Sequence, residues 1–595
     1  MFRRHSSRIV LLLSLAAAVG ATPRAATAQP VAKSAAPAVL AHLPDDALGF
    51  VLLRDLTDAD AKTQQLLDMF DMKAPAPLAL LKFATGLGEG LDASGDLLVA
   101  FLPAARNQPA LIPLVLAPVD DYAEFVAPVG GDETGEICRI TIGGEDVLVA
   151  RDGDFAMLMN VEHRETMELL IGAEPEAVAT LEPLEEWLVG NQVSAVIMPT
   201  GAELLLAMGE QGLAAQRAET EANLADEEFA EVLAEARQGL EMMEMMLGGV
   251  RNELRAFAVG VSLDDAMNLR LSSRMLLTEQ SHIASLARIE RRENGLLGYA
   301  DEPFVGVVEG MLPAELAAYA TGLYQRMIAA SPEDFGLGEM DEAEWQEFAK
   351  TQELFYKGMQ GYSMLMLPGD KDDPIVTQLY GVVLTDDSAQ LLDNWQKSIE
   401  ATNSLMARFD TELDFEYGLE RRTIAGKPAL DVTVDMAQLM KDENVPQMET
   451  FVKALFGDDG VFTNHIVAAN DHVVISAVAS EGRVADLIAA VNQGELGLAT
   501  SEPVQTTEKL LDPQSPWRAL VSPQGCVTWA ERVVAKFLEN VGAFMTPPDF
   551  PEFAATAPVG VSLRVTNGQL AAECVWPSET LAGLAEYVQK VNEMK

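Results

Sequence analysis

Residues 257–291 read FAVGVSLDDAMNLRLSSRMLLTEQSHIASLARIER, and residues 557–591 read APVGVSLRVTNGQLAAECVWPSETLAGLAEYVQKV. The pentapeptide VGVSL stands at 259–263 and again at 559–563. After each copy the residues alternate apolar and polar, break at a turn, alternate again and pass into a stretch of helical spacing. Asp264-Asp265-Ala266 and Arg564-Val565-Thr566 hold the same place. Thr566-Asn567-Gly568 supplies hairpin chemistry, because Asn-Gly accepts the positive φ of a tight turn. Strand, turn, strand, helix is therefore the unit from which the rest is read.

Further matches lie upstream of both copies. Val193–Pro199 (VSAVIMP) resembles Trp517–Pro523 (WRALVSP), each a strand leading into a helix. Residues 147–172 align with 465–490, so that Phe155, Met157 and Met159 sit where Val473, Ile475 and Ala477 sit. Such alternation is what a sheet with one buried face requires. Ile142–Asp146 matches Ile424–Pro428, after which the second copy carries an insertion of about thirty residues with an amphipathic stretch near Met448–Phe456. The starts also agree, Leu48–Arg54 with Pro303–Glu309.

The expectation is an α+β fold of antiparallel or mixed sheets, helices on one face, in two tandem similar halves. The modules run 29–180, 190–292 (with a long helix), 300–495 and 515–595. Glu293–Glu302 and the Pro-rich Gly494–Pro516 read as linkers.

Ahead of these modules the chain begins MFRRHSSR, continues with the apolar run Ile9–Ala21 and reaches Ala26-Thr27-Ala28 before Gln29. A basic start, a short apolar core and an A-x-A site make residues 1–28 a cleavable secretory signal. About 20 residues are needed to span a bilayer, and the apolar run is shorter. The protein is therefore expected outside the cytoplasm, periplasmic or extracellular, with no transmembrane segment after cleavage.

The formal net charge is −50, and the leader's arginines make the mature part more acidic still. Nucleic acid and anionic membranes bind basic patches, so this balance turns both away and leaves proteins, cations or an apolar ligand as partners. Hydrophobic residues make up 49% of the chain, which is material for cores rather than for a disordered acidic tail.

Residues Ala214–Leu247 form a long amphipathic helix candidate of roughly 50 Å. Phe229, Val232, Ala236, Leu240, Met243 and Leu247 form its stripe. Such a stripe either packs on its own sheet, the more frequent case, or binds a partner through adaptable methionines.

No H-E-x-x-H, G-x-S-x-G, Walker or dinucleotide motif is present, and no catalytic residue, cofactor or metal is assigned. His465 and His472 flank one hairpin without further ligands nearby, where zinc needs three or four. The acidic turns with Asp370, Asp372 and Asp373, and with Gly457–Gly460, lack the EF-hand spacing and read as solvated. Gly86–Gly90 lacks the Lys of a phosphate loop.

Three cysteines are too few for a disulfide framework. Cys526 begins an amphipathic helix with Trp529, Val533 and Phe537, and Cys574 shares a strand face with Leu570, Ala572 and Trp576. That helix should cover that face, so Cys526 and Cys574 are either a candidate disulfide or two buried thiols. Cys138 reads as a buried strand residue.

The phrase Leu43-Pro44-Asp45-Asp46-Ala47, followed by a strand ending in Arg54-Asp55-Leu56, resembles the opening of a family of exported bacterial proteins known as a domain of unknown function. Its members carry a signal peptide, an L-P-x-D-A/T phrase and repeated strand–helix modules. The resemblance implies that layout and no activity, ligand or catalytic residue. Physically the phrase is a turn that starts the first buried strand. Three functions stay open: an exported non-catalytic binding or scaffold protein first, a carrier of a hydrophobic ligand second, and an enzyme third.

Overall fold

In the computed structural model the chain divides into two compact units. The first comprises residues 1–212, 247–284 and 566–585, and the second 213–246, 285–565 and 586–595. The structure describes residues 36–594 except 77, 80–81, 83–88, 105–110, 132–134, 143, 172, 174–177, 224–229, 292–302, 315, 320, 323–324, 326–341, 371–372, 408–415, 441–447, 494–496, 542–549 and 567. The signal segment 1–28 and the linker 293–302 thus lie outside the described residues.

The Leu-Pro-Asp-Asp phrase forms the expected turn, with Ala47 N–H donating to Pro44 O (3.0 Å) and Asp45 and Asp46 exposed. The chain then enters β1 (Gly49–Leu53) and α1 (Leu56–Met69), whose N-cap Asp55 accepts from Asp58 N–H. There follow β2 (Leu97–Pro103), β3 (Leu111–Pro118), α2 (Tyr122–Val126), β4 (Ile137–Ile142), β5 (Glu145–Asp152), β6 (Phe155–Asn160), α3 (Arg164–Ile171) and α4 (Glu185–Gly190). Next come β7 (Val193–Ile197), the long helices α5 (Pro199–Asn223) and α6 (Ala230–Glu253), β8 (Leu254–Leu263) and β9 (Leu269–Leu277).

Every pairing in this unit is antiparallel. The ladder runs β4–β5–β6–β3–β2–β1–β7–β8–β9, and β9 then takes β19 (Gln569–Trp576) from the far end of the chain. Strand β6 buries both faces. Phe155, Met157 and Met159 join a core with Phe50, Leu98 and Leu114, while Ala156 and Leu158 join one with Tyr122, Phe125 and Ile140. On β7 burial alternates, so one face is covered there.

The second unit holds β10 (Gly306–Met311), α7 (Glu342–Tyr356), β11 (Met359–Met366), β12 (Leu379–Thr385), α8 (Ser388–Met406), β13 (Gly418–Ile424) and β14 (Lys427–Asp435). It continues with α9 (Met448–Phe456), β15 (Val461–Asn470), β16 (Val473–Val478), α10 (Glu481–Gln493), α11 (Glu502–Glu508), β17 (Trp517–Val521), α12 (Pro523–Val541) and β18 (Val559–Thr566). After β19 the chain ends in α13 (Ser578–Glu593). This ladder is also antiparallel and runs β13–β14–β15–β16–β12–β11–β10–β17–β18.

The two ladders repeat one strand order. Both start from the inner pair, β1 with β7 and β10 with β17, and reach outward through β2, β3, β6, β5 and β4 or through β11, β12, β16, β15 and β14. Strand β13 is the extra one. The hairpin at Ile424–Lys427 therefore joins β13 to β14, and its sequence match with Ile142–Asp146 is displaced by one strand.

The ladders also correct two registers. Gly49 faces Ile197 as Gly306 faces Val521, so the starts align two residues away from the match at Leu48–Arg54. Ser194 faces Gly260 whereas Arg518 faces Ser562, a slip of two within VGVSL. A slip of two keeps every side chain on its own face, so the hydrophobic pattern tolerates it.

Two pairs of glycines explain why short phrases recur. In Pro199-Thr-Gly201 and Pro523-Gln-Gly525 the glycine presses its Cα onto the carbonyl of Leu48 or of Phe304, and a Cβ would overlap that oxygen. In the two VGVSL copies the glycine lies under a covering segment. A Cβ on Gly260 would stand 2.5 Å from Asn191 Cγ, and one on Gly560 2.5 Å from Thr507 Cγ2.

Three elements differ from their sequence reading. The stretch after β9 is a six-residue 3-10 helix, Ile283–Arg288, rather than an α-helix like α13. There the buried Glu253 carboxylate accepts from His282 N–H (3.1 Å) and Ile283 N–H (3.2 Å). Gly494–Pro516 is not a plain linker: α11 carries Pro503 in its first turn, where the missing N–H costs nothing, and Val504, Thr507 and Leu511 are buried. The single helix expected over 214–247 is parts of α5 and α6, with 224–229 and thus Phe229 outside the described residues. Among the described residues, no helix is long and apolar enough to cross a membrane.

Candidate functional site

A buried ionised group must find partners or shift its pKa, so buried charge marks where a site would lie. In the second unit Glu309 on β10 lies directly opposite Arg518 on β17, and they are 5% and 3% exposed. Arg291 Nη2 reaches Glu309 (3.4 Å) and Glu508 on α11 (3.2 Å), and Arg518 donates to Glu508 and to Asp512 O. Arg564 completes the group on Asp512 (3.1 Å). Burial lowers the Arg518 pKa, opposed by Glu508. The charges in this group close on one another and bolt α11 to the sheet.

At the matching place in the first unit stand Leu52 and Ser194, covered by a neutral network. Trp187 Nε1–H donates to Ser272 Oγ (2.8 Å), and Ser272 donates to Asn191 Oδ1 (3.0 Å). Neither network is legible in the sequence, because bonded partners lie up to 217 residues apart. A usable signal was present: Glu309 and Arg518 each interrupt an apolar strand.

The histidines do not converge. His465 on β15 sits across from Asp431 on β14, and its Nδ1–H donates to Asp431 Oδ1 (2.8 Å). Arg422 pairs with Asp431 (2.7 Å) and with Glu481 in the first turn of α10 (2.8 Å), so the cluster joins three strands to one helix. His472 lies in the exposed β15–β16 turn, its N–H held by Asn470 (2.9 Å). A second His–Asp pair, His42 with Asp152 (2.6 Å), packs edge-on against Phe155 in the first unit. Among the described residues no group of three or more His, Cys, Asp or Glu is placed to hold a metal ion.

The acidic turns have structural duties. Asp373 accepts from Asp370 N–H (3.0 Å) and from Gln378 (3.1 Å). Arg532 of α12 donates to the carbonyls of Pro368, Pro374 (2.9 Å) and Ile375 (2.8 Å) and clamps the loop, while Asp372 lies outside the described residues. In Gly457–Gly460, Asp459 accepts from Val461 N–H (3.2 Å). Gly86–Gly88 lie outside the described residues.

All three thiols are free. Cys526 and Cys574 are half-buried, and burial pushes both pKa values up. Cys526 Sγ lies 3.9 Å from Val305 O, and Cys574 faces Leu271 across the β9–β19 ladder. Cys138 is buried beside Tyr122 (3.9 Å), whose phenol is raised well above its ordinary pKa, first by burial and then by the thiol.

The element with surface left over is the pair α5 and α6, of 25 and 24 residues and about 37 Å each. In the first unit the two meet where Gly209 packs on Leu247, beside the ion pair Glu210–Arg251 (2.5 Å). At about 100° per residue, Met208 and Glu210 flank Gly209 on opposite sides. Val250 and Arg251 likewise flank the Leu247 line on opposite sides. The ion pair thus marks one side, and Leu204, Leu205, Met208 and Val250 lie on the other, all exposed. In the second unit Arg217–Glu244 (3.1 Å) and Arg237–Glu221 (3.3 Å) also link α5 to α6. Along α6 the apolar stripe runs on at steps of three and four through exposed Met246 and Met243, while Leu240 is buried. The stripe therefore packs inward in part and faces solvent in part.

Compared with protein-family models, curated proteins and solved structures, the chain has no match. What fold and site define is a class: an α+β protein of long antiparallel ladders with a repeated strand–helix arrangement and a pair of long helices that leaves apolar side chains exposed.

Proposed function

We propose that the protein is an exported, non-catalytic binding protein built by tandem duplication, and that α5 and α6 carry its docking face. The observation behind this reading is the sorting of side chains on that pair. The Glu210–Arg251 ion pair occupies one side, and exposed Leu204, Leu205, Met208 and Val250 occupy the other. A monomer gains nothing from leaving four large apolar side chains together in water, each worth about 1.5–3 kcal/mol when fully buried. The buried Glu309–Arg518 and Asp431–His465 groups support the same view, since their partners are other side chains of the fold.

Purified mature protein should begin at or near Gln29 and turn over no ester, peptide, phosphate or glycoside substrate in a broad hydrolase screen. Turnover abolished by His465→Gln, with the circular dichroism unchanged, would contradict the reading. A carrier of an apolar ligand is the second reading. It is favoured by the sheet face of the second unit, where exposed Val308 lies opposite exposed Met364 and Val521 stands on the neighbouring strand. Lipid co-purifying with the protein in stoichiometric amount would promote it.

A further inference from the structure

We infer that the outer edge of strand β4 takes up an extended segment of a partner protein as an added antiparallel strand, independently of the α5–α6 face. The second unit shows what such an edge holds. Met157 and Ile475 stand at one place in the two ladders. They pair with Ala150 and Val467, which pair in turn with Ile137 and Ala429. Residues Ile137, Arg139 and Thr141 of β4 therefore stand where Ala429, Asp431 and Thr433 of β14 stand. On the far side of β14 lies β13, with Arg422 opposite Ala429, Glu420 opposite Asp431 and Gly418 opposite Thr433. On the far side of β4, among the described residues, no strand is paired.

Both ladders turn the same backbone groups outward. Ile142–Glu145 and Ile424–Lys427 each close a two-residue connection. From a closing pair, hydrogen-bonded and non-bonded pairs alternate along the ladder. Ala429, Asp431 and Thr433 thus bond to β13, whereas Ile137, Arg139 and Thr141 turn N–H and C=O away from β5, and Arg139 and Thr141 are exposed. Among the described residues no backbone group bonds to these three from the outer side. The two outer edges also differ in protection. Strand β13 (GLERRTI) sets Glu420, Arg421 and Arg422 in its middle, charge that discourages further pairing. Strand β4 (ICRITI) has one charge, Arg139, tied to Asp146, with no Pro and no register shift. Side chains set the chemistry of the occupant. Leu419 of β13 lies opposite Val432 and packs on the core that holds Leu430 and Trp395. In the first unit buried Ile140 takes the place of Val432, and Val129 and Ile142 at the same core are only half-buried. The added segment therefore brings an apolar, β-branched residue opposite Ile140 and polar residues opposite Arg139 and Thr141, in strict alternation. A second copy meeting edge to edge about a two-fold axis would set Arg139 against Arg139.

The test uses the full mature chain and the fluorescent heptapeptide KVTVTVE, followed by anisotropy. One N-methylated twin carries methyl groups on both Thr amides, which would face β4. The other carries them on the second and third Val amides, which would face away. The parent and the Val-methylated twin should bind alike and with little salt dependence. The Thr-methylated twin should lose at least about tenfold in affinity through two missing hydrogen bonds. Amide exchange at Arg139 and Thr141 should slow on binding, and L205S/M208S should bind as the wild type does. Arg139→Pro removes an outward N–H that β5 does not use, so with unchanged circular dichroism it should also lose at least about tenfold. Equal affinity of the two twins, wild-type affinity in Arg139→Pro, loss of binding in L205S/M208S, or no binding of the parent would overturn the inference. A wild-type dimer in sedimentation that Arg139→Pro splits would overturn it too, in favour of a second copy on the edge.

Discussion

At the residue scale, the buried charges carry the largest single-site stakes. Glu309 and Arg518 face one another with almost no exposure. Glu309 is bonded to Arg291 and Arg518 to Glu508, so removing Glu309 leaves both arginines to share Glu508, at a cost of about 3–5 kcal/mol. Urea denaturation of Glu309→Ala should show a loss of that size, and Glu309→Leu combined with Arg518→Met should recover most of it. A loss below about 1 kcal/mol in the single variant would mean that water reaches the group, at odds with its burial. The paired glycines make a matched prediction. Gly201→Ala and Gly525→Ala each drive a methyl into a backbone carbonyl, so each should destabilise by about 1–3 kcal/mol or more, and by similar amounts. A neutral result at one site alone would break the equivalence of the two junctions. The thiols complete this scale: burial raises Cys526 and Cys574, so both should alkylate more slowly at pH 8 than in the urea-unfolded chain. Native rates equal to unfolded rates would show the thiols to be open.

At the element scale, some features were legible in the sequence and others were not, for physical reasons. The strands of 147–160 and 465–478 are legible because alternation is local. The α+β class follows from strand, turn, strand, helix. Registers are harder, since a slip of two residues changes no face; the sequence match at VGVSL conceals that Ser194 and Arg518 meet partners two residues apart. The extra strand β13 is hidden because its turn, Ala425-Gly426, resembles the turn of another hairpin. The stripe through Val232, Ala236, Leu240, Met243 and Leu247 on α6 was visible in the sequence as a periodicity, but exposed Leu204, Leu205, Met208 and Val250 lie outside it and became visible only through the Gly209–Leu247 contact and the Glu210–Arg251 ion pair. The ion pairs that link α5 to α6 are exposed, so Arg217→Ala should cost under about 1 kcal/mol and the difference should vanish in molar salt. A larger, salt-insensitive loss would mean that Arg217 is packed rather than merely paired.

At the scale of the whole molecule, two consequences follow from where buried groups and strands lie. Burial raises the Tyr122 phenol and the Cys526 and Cys574 thiols. A raised folded pKa gives stability that is full below the ordinary values, about 8.5 for thiols and 10 for phenols, and is lost as pH climbs through the folded values. The Tm should therefore fall progressively above about pH 8.5, and Tyr122→Phe should flatten the upper part of the fall; a Tm level to pH 11 would refute the assignment. Strand β19 belongs to the first unit through β9, although it is the last strand in the sequence. A chain stopped at Val565 should therefore lose hydrogen-exchange protection in β9 while β10 and β17 keep theirs. The claim that matters most is that the exposed face of α5 and α6 is covered when the protein works. Carbene footprinting can compare the purified mature protein with the same protein in a freshly opened cell envelope. Leu204, Leu205, Met208 and Val250 should be labelled in the pure protein and protected in the envelope, with Met364 labelled equally in both. Equal labelling of the four residues in the two preparations would contradict the account.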